Sequence, residues 1–468
     1  MQHFFVALAI LLETIYVLFA SASDYRANLL PFFALSASAA LLALLFAPRA
    51  TLRSALLWGA LFRATVALRA PDLSEDLYRY AWDGHVALSG ASPYARVPDD
   101  PALVPLRNAD WAETAHRDAL SVYPPASQAI FRAAAWTGHP RPVLKILFGA
   151  ADLSIVWLLS RFDGGLYAAA LYAALPLPVF ESAGMGHLDS AGIALLLAAL
   201  LHLKRSRPVA AGAAFALSLM TKFFSGFAAL ALARRGGMRF AAAGLVAASA
   251  IWATGTGGGA TPAAGLSNFA TRWSGNSILY PAIESAIDRA QLAPRAKAAY
   301  ARWKSTRPER PWMEKPWPWF YPELFARLFI AAGLGVVLVG IALGIPDPVR
   351  AAGASLGAFL LASPVLHPWY LLWVLPFAAL YRNAAFLYLS VAVVFGYALL
   401  HPVAPFSPGL VLALEYGPFA ALLALGTFRR GRGGERSALL LAGNGGGPVA
   451  PATLRSRQAP LPEGSEGG

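Results

Sequence analysis

Hydrophobic runs close to the roughly 20 residues needed to cross a bilayer recur along nearly the whole chain, separated by short polar connectors. They lie at about 4–20, 29–47, 54–69, 143–160, 164–180, 189–203, 240–255, 322–345, 351–366, 370–381, 384–401 and 408–427. This pattern predicts an all-α fold: one polytopic membrane domain of roughly 12–14 transmembrane helices over residues 1–436. The first run contains Glu13 and precedes no small-residue cleavage site with a soluble body behind it. It is therefore expected to stay as the first span rather than to be removed as a signal peptide. The apolar stretch 208–233 has basic clusters at both ends, which a single crossing would violate. Two short half-spans meeting near Lys222 account for it. Irregular backbone at that depth is tolerable only when it lines a cavity or is shielded by protein, so Lys222 is expected to face a site.

Composition agrees with the pattern. The 468 residues are 57% hydrophobic and 13% charged, with mean hydropathy +0.52, against roughly 25% charged residues in soluble domains. Cysteine is absent, which excludes disulfides, thiolate metal sites and Cys nucleophiles. The net charge of +13 does not point to nucleic acid, because the basic residues sit mainly at the ends of hydrophobic runs. Short connectors rich in Lys and Arg mark the cytoplasmic side. Arg49 with Arg53, Lys204 to Arg207, Arg234 to Arg239 and Arg429 to Arg436 are the clearest. Placing them inside puts both termini in the cytoplasm and the loop 71–140 outside a cytoplasmic (inner) membrane. That loop holds nine Asp or Glu residues against five Arg.

A second outer segment, 256–321, is basic and rich in tryptophan, including Trp303, Trp312, Trp317 and Trp319. It is expected to lie amphipathically at headgroup level against membrane lipids. Residues 437–468 are rich in Gly, Pro and Ala without periodicity and read as a disordered cytoplasmic tail. No internal repeat is visible.

Four clusters carry possible chemistry. The first is Ser74-Glu75-Asp76-Leu77-Tyr78-Arg79-Tyr80-Ala81-Trp82-Asp83-Gly84, followed by Tyr94 and Tyr123. A helix starting near Ser74 would take Glu75 and Asp76 into its first turn, where its dipole favours negative charge. Asp83, two turns beyond Asp76 on the same face, would have Arg79 between the two: an ion-pair ladder, or a base held ionised. The second cluster is Glu181 to Asp189, in which His187 and Asp189 can ligate a metal, fix an imidazole tautomer or cap the next helix. Capping is the simplest role for Asp189. The third, Ser363 to Tyr370, carries His367, Trp369 and Tyr370 beside two prolines, either as an interfacial belt or facing a cavity. The fourth is Lys222, whose natural partner is an anionic headgroup. The basic connectors bring all four to one side of the membrane, and this convergence favours an enzyme.

The run Ser74 to Gly84, Ser92-Pro93-Tyr94, Tyr123-Pro124-Pro125, Gly186-His187-Leu188-Asp189, Arg272-Trp273 with Asn276, and Ser363-Pro364 with His367-Pro368-Trp369-Tyr370 resemble the GT-C superfamily of polyprenyl-phosphate-sugar-dependent glycosyltransferases. The closest likeness is to the bacterial polyprenyl-phosphomannose-dependent mannosyltransferases. The resemblance implies transfer of a hexose, mannose first, from a polyprenyl-phosphate sugar to a lipid or glycan acceptor at the outer face. It implies a base in the acidic doublet, Asp76 first and Glu75 second, with Asp83 a further candidate, and the doublet here reads Glu-Asp rather than Asp-Asp. It also implies donor phosphate contacts from Lys222, His367, Arg272 and Arg79. Sugar or acceptor contacts would come from Trp82, Tyr94, Tyr123, His187, Asp189, Asn276, Trp369 and Tyr370. Serine and glycine follow Lys222 where the family has a proline. No cofactor is required, and no metal ligands are assigned, although a divalent cation is compatible with an acidic doublet. The rival reading is a transporter or flippase for a lipid-linked or anionic substrate, which would be expected to show paired broken helices in its two halves.

Overall fold

The computed structural model of the protein describes residues 2–22, 24–315 and 317–442. Its packing divides the chain into Met1–Leu422 and Leu423–Gly468, and the site lies within the first. The final helix, Pro408–Ala442, runs through the start of the tail expected from Ser437, and residues 443–468 lie outside the described residues.

The described residues are helices joined by short irregular segments, with an isolated bridge between Gly275 and Val365 and no strand. Six helices are long and apolar enough to cross a membrane, or seven counting one bent pair. The remaining expected crossings are shorter or interrupted helices, such as Leu52–Ala67, Asp189–Lys204 and Pro348–Ala362. The bent pair joins Gly165–Ala174 to Pro176–Met185 at 57°, where Pro176 cannot donate to the preceding turn. Past that bend, Val179–Met185 winds as a π-helix. Such short π segments gather at functional positions.

The stretch around Lys222 takes the paired form expected. The helix Pro208–Thr221 ends at Lys222, whose backbone is extended (φ −152°, ψ 131°). A 3₁₀ turn, Phe223–Ala228, then leads into Ala229–Thr256. That helix is itself interrupted at Gly237 (φ 67°, ψ −165°), within the basic cluster Arg234 to Arg239. The reversal is fastened by Ser218 Oγ donating to the Gly192 carbonyl (2.7 Å) and Ser127 Oγ donating to the Thr221 carbonyl.

The acidic loop folds onto this reversal. Its helix Asp76–Leu88 packs on Pro125–Trp136, with the Tyr80 and Phe131 rings stacked at 4.6 Å. Gly84 permits the approach: a β-carbon there would sit 2.2 Å from the Phe131 carbonyl oxygen. Gly84→Ala must therefore push the two helices apart, and overpacking of this kind costs about 1–3 kcal/mol. A lower melting temperature in detergent, together with reduced activity because the same helix carries Asp76, is the expected result.

The segment 256–321 forms three helices, Ala263–Arg272, Leu279–Arg289 and Leu292–Ser305. Its join to the proline-rich cluster is a short ladder. Gly275 N–H donates to Pro364 (3.0 Å), Leu366 N–H donates to Gly275 (3.0 Å), and Ser277 Oγ donates to the Ser363 carbonyl (2.8 Å).

Candidate active site

A cavity of about 330 Å³ opens where these parts meet. Asp76, Glu75 and Ser74 come from the start of the site helix, and His116, Leu120 and Tyr123 from the rest of the acidic loop. Lys222, Phe223 and Phe224 come from the reversal, Leu266, Phe269 and Trp273 from the second segment, and His367, Trp369 and Tyr370 from the proline-rich cluster. The walls thus pair carboxylates and a cation with a broad apolar and aromatic surface.

The Asp76 side chain is 31% exposed. Its amide reaches Ser74 Oγ at 3.3 Å, so Ser74 gives part of the cap expected, although Glu75 holds the cap position itself. Tyr80 donates its hydroxyl to Asp76 Oδ2 (3.3 Å). Burial, with the neighbouring Asp76 charge second, holds the Tyr80 phenol well above its usual range, so it stays a donor.

Lys222 is not free. Its ammonium sits 2.6 and 2.7 Å from the two carboxylate oxygens of Asp189, and Trp373 Nε1 donates to the same carboxylate (2.7 Å). It also lies 5.0 and 5.1 Å from the ring centres of Phe224 and Tyr370. Asp189 is fully buried and stands as the first residue of its helix without capping it. The capping role expected for Asp189 therefore gives way to holding Lys222. A buried carboxylate fixes the lysine at the pocket wall with about one tenth of its side chain exposed.

Trp369 is sandwiched between two imidazoles, stacked on His187 at 4.1 Å and on His367 at 4.5 Å. Burial pushes the His367 imidazolium down to about 4, outweighing the opposing pull of Asp76. His367 therefore meets a ligand at neutral pH as a hydrogen-bonding group and not as a charge.

Several expected site residues are turned elsewhere. Asp83 shares the Asp76 face but lies two turns deeper, bound to Arg79 (2.8 Å) and Gln128 (3.0 Å) and 1% exposed. That is the ion-pair alternative, and it removes Asp83 from the candidate bases. Arg79 lines the cavity, but its guanidinium is taken by Asp83 and the Ala119 carbonyl. Trp82 points the opposite way, because six residues at 100° each carry it well off the Asp76 face. It packs with Val86 and Leu103. Tyr94 is buried, its hydroxyl donated to the Tyr123 carbonyl (2.8 Å). Arg272 is exposed outside the cavity wall. Asn276 also lies off the wall, against the buried Glu415. His187 is buried behind Asp76.

The cavity also gathers His116, His401 and Trp273, to which the sequence reading gave no site role. His116 adopts a left-handed backbone (φ 50°) and meets Trp273 edge-on at 4.9 Å. Neither histidine sits in a motif, so no local signal marks them. Among the described residues, no group of three or more His, Asp or Glu is placed to hold a metal ion.

Residues 29–235 match the family described as alpha-(1->6)-mannopyranosyltransferase, N-terminal domain, and residues 323–428 match the MptB C-terminal domain. The protein is thus a membrane glycosyltransferase, which sets aside the transporter reading. More narrowly, it belongs to the alpha-(1->6)-mannopyranosyltransferase family, as the resemblance in its motifs implied. The two matches cover the acidic loop, the Lys222 reversal and the proline-rich cluster. No curated protein and no solved structure matches the chain.

Proposed function

We propose that this mannosyltransferase takes its mannosyl group from a polyprenyl-phosphate donor and delivers it to a hydroxyl of a glycan or lipid acceptor, at the outer face of the cytoplasmic membrane. The observation that carries the reading is the cavity itself, with Asp76 on one wall, Lys222 and His367 on another and Phe223, Phe224, Leu266 and Phe269 between them. An apolar tail and an anionic headgroup require that combination.

Asp76 acts as the general base. It accepts the proton of the acceptor hydroxyl as that oxygen bonds to the anomeric carbon, and the bond from carbon to phosphate oxygen breaks with its electron pair on the phosphate. A phosphate is a good leaving group, so one carboxylate suffices and a glycosidase-like pair is not needed. Lys222 supplies positive charge to the departing phosphate, and His367 a hydrogen bond. Trp369, Tyr370 and Tyr123 offer ring faces and hydroxyls to the sugars.

Purified protein given radiolabelled polyprenyl-phosphate sugars should consume the mannosyl donor and release polyprenyl phosphate. Consumption of a nucleotide sugar alone would overturn the donor assignment. Lys222→Met should lower kcat by about 10²-fold, the scale of losing one preorganised donor to developing negative charge. Steady-state kinetics with the lipid donor would check it, and an unchanged kcat would remove Lys222 from the phosphate site.

A further inference from the structure

Behind Asp76, a line of buried polar side chains runs from the cavity wall into the helix bundle. His187 Nε2 lies 3.0 Å from Ser74 Oγ and 3.8 Å from Asp76 Oδ2. On the other edge of the ring, His187 Nδ1 faces Glu181 Oε2 at 3.0 Å, and neither atom has another partner. Glu181 Oε1 accepts the Tyr397 hydroxyl (2.7 Å). Both Glu181 and His187 are fully buried.

The backbone is shaped to make this arrangement. Glu181 belongs to the π-helix Val179–Met185, and the Gly186 and His187 amides both donate to its carbonyl. Gly186 takes the left-handed turn (φ 80°) that brings the ring back over Glu181. Trp369 covers one ring face. A carboxylate opposite Nδ1 assigns the proton to that nitrogen and leaves the Nε2 lone pair facing Ser74 and Asp76. Simple helix packing has no need of a carboxylate and an imidazole sealed together behind a base.

We propose that Glu181 and His187 act through Asp76 as a proton-accepting pair that resets the base after each transfer, a proposal that rests on the Asp76 assignment above. Once Asp76 has taken the acceptor proton, that proton passes to His187 Nε2, directly or by exchange through the Ser74 hydroxyl. The products are an Asp76 carboxylate and an imidazolium paired with the Glu181 carboxylate. No oxidant or further reactant is consumed, and the proton returns through Asp76 to water when the pocket empties. Removing the proton from Asp76 while the phosphate product is still bound also withdraws the acid that the reverse reaction would need.

The test compares the first turnover with steady-state turnover in the full-length protein, using polyprenyl-phosphate [¹⁴C]mannose and acceptor in a rapid-quench experiment. His187→Gln keeps hydrogen bonding to Ser74 and Glu181 but cannot carry the proton, and Glu181→Gln removes the charge that stabilises the imidazolium. Both are expected to leave the first turnover within about threefold of the natural protein while steady-state turnover falls about 10-fold or more, with donor KM unchanged. Ser74→Ala, a smaller change in packing, should show a weaker split in the same direction and serves if either buried variant fails to fold. Equal losses in both phases would show that the pair only positions Asp76, and no loss in either would show that it is idle; both overturn the proposal. If Asp76→Asn still transfers mannose, the base assignment falls and the pair falls with it. An inactive Asp76→Asn beside equal losses in His187→Gln removes the proton pair alone.

Discussion

Asp76→Asn is expected to lower mannosyl transfer by about 10³-fold, within the range of about 10²–10⁴ that a positioned general base contributes. The side chain reaches the cavity from the first turn of its helix and is held by contacts that asparagine largely preserves. Its oxygen can still accept from Tyr80, as Asp76 Oδ2 does at 3.3 Å, so folding and donor binding should survive. Transfer measured against donor binding separates the two effects. Glu75 lines the same cavity but stands at the cap position of the helix and lacks the backing of His187. Glu75→Gln is therefore expected to cost less than about 10-fold. A large loss in Glu75→Gln with little in Asp76→Asn would exchange their roles.

The second large effect is on stability and lies away from the chemistry. Arg63 and Asp152 form an ion pair inside the bundle, with Arg63 Nε 2.8 Å from Asp152 Oδ2 and side-chain exposures of 4% and 0%. Tyr172 donates its hydroxyl to the same carboxylate (2.6 Å). Asp152→Ala leaves the guanidinium with only the Gly59 and Ala173 carbonyls. Breaking one side of a buried pair costs about 3–5 kcal/mol, because the remaining charge stays desolvated. Thermal unfolding in detergent should show a large drop, while activity per folded molecule stays near that of the natural protein. Replacing both residues by leucine should recover most of the loss, since a pair of this kind is often no better than apolar packing. A double variant as unstable as Asp152→Ala would show that Tyr172 and the carbonyls, not the charge pair, organise this part of the bundle.

The candidate site was legible where one residue's chemistry is rare in its surroundings. An acidic doublet beside a hydrophobic run, a lysine within an apolar stretch and histidines at span ends all stand out against lipid-facing composition. The structure brings Asp76, Lys222, His367, Trp369 and Tyr370 to one cavity. What stayed hidden depended on partners far along the chain. Lys222 reads as a free cation until Asp189 is found on it, 33 residues away, and Asp189 reads as a cap until Trp373 is found bonded to it. Glu181 stood in a motif without a role, because its relation to His187 comes from a π-helix and a left-handed glycine that no apolar periodicity announces.

The sequence by itself determined that the protein is all-helical and built for a bilayer, because the cost of unpaired backbone groups in hydrocarbon imposes long apolar runs that composition cannot disguise. It also determined which loop carries the acids and, through ordered motifs, the family. Only the tertiary structure decided which polar residues are available to a substrate. Asp83, Arg79, Trp82 and Tyr94 have suitable chemistry, but ion pairs, carbonyls and packing within the acidic loop occupy them. His116 and His401 have no motif and yet line the cavity. Exposure and pairing are settled by contacts between segments tens to hundreds of residues apart, and those contacts leave no local pattern in the chain.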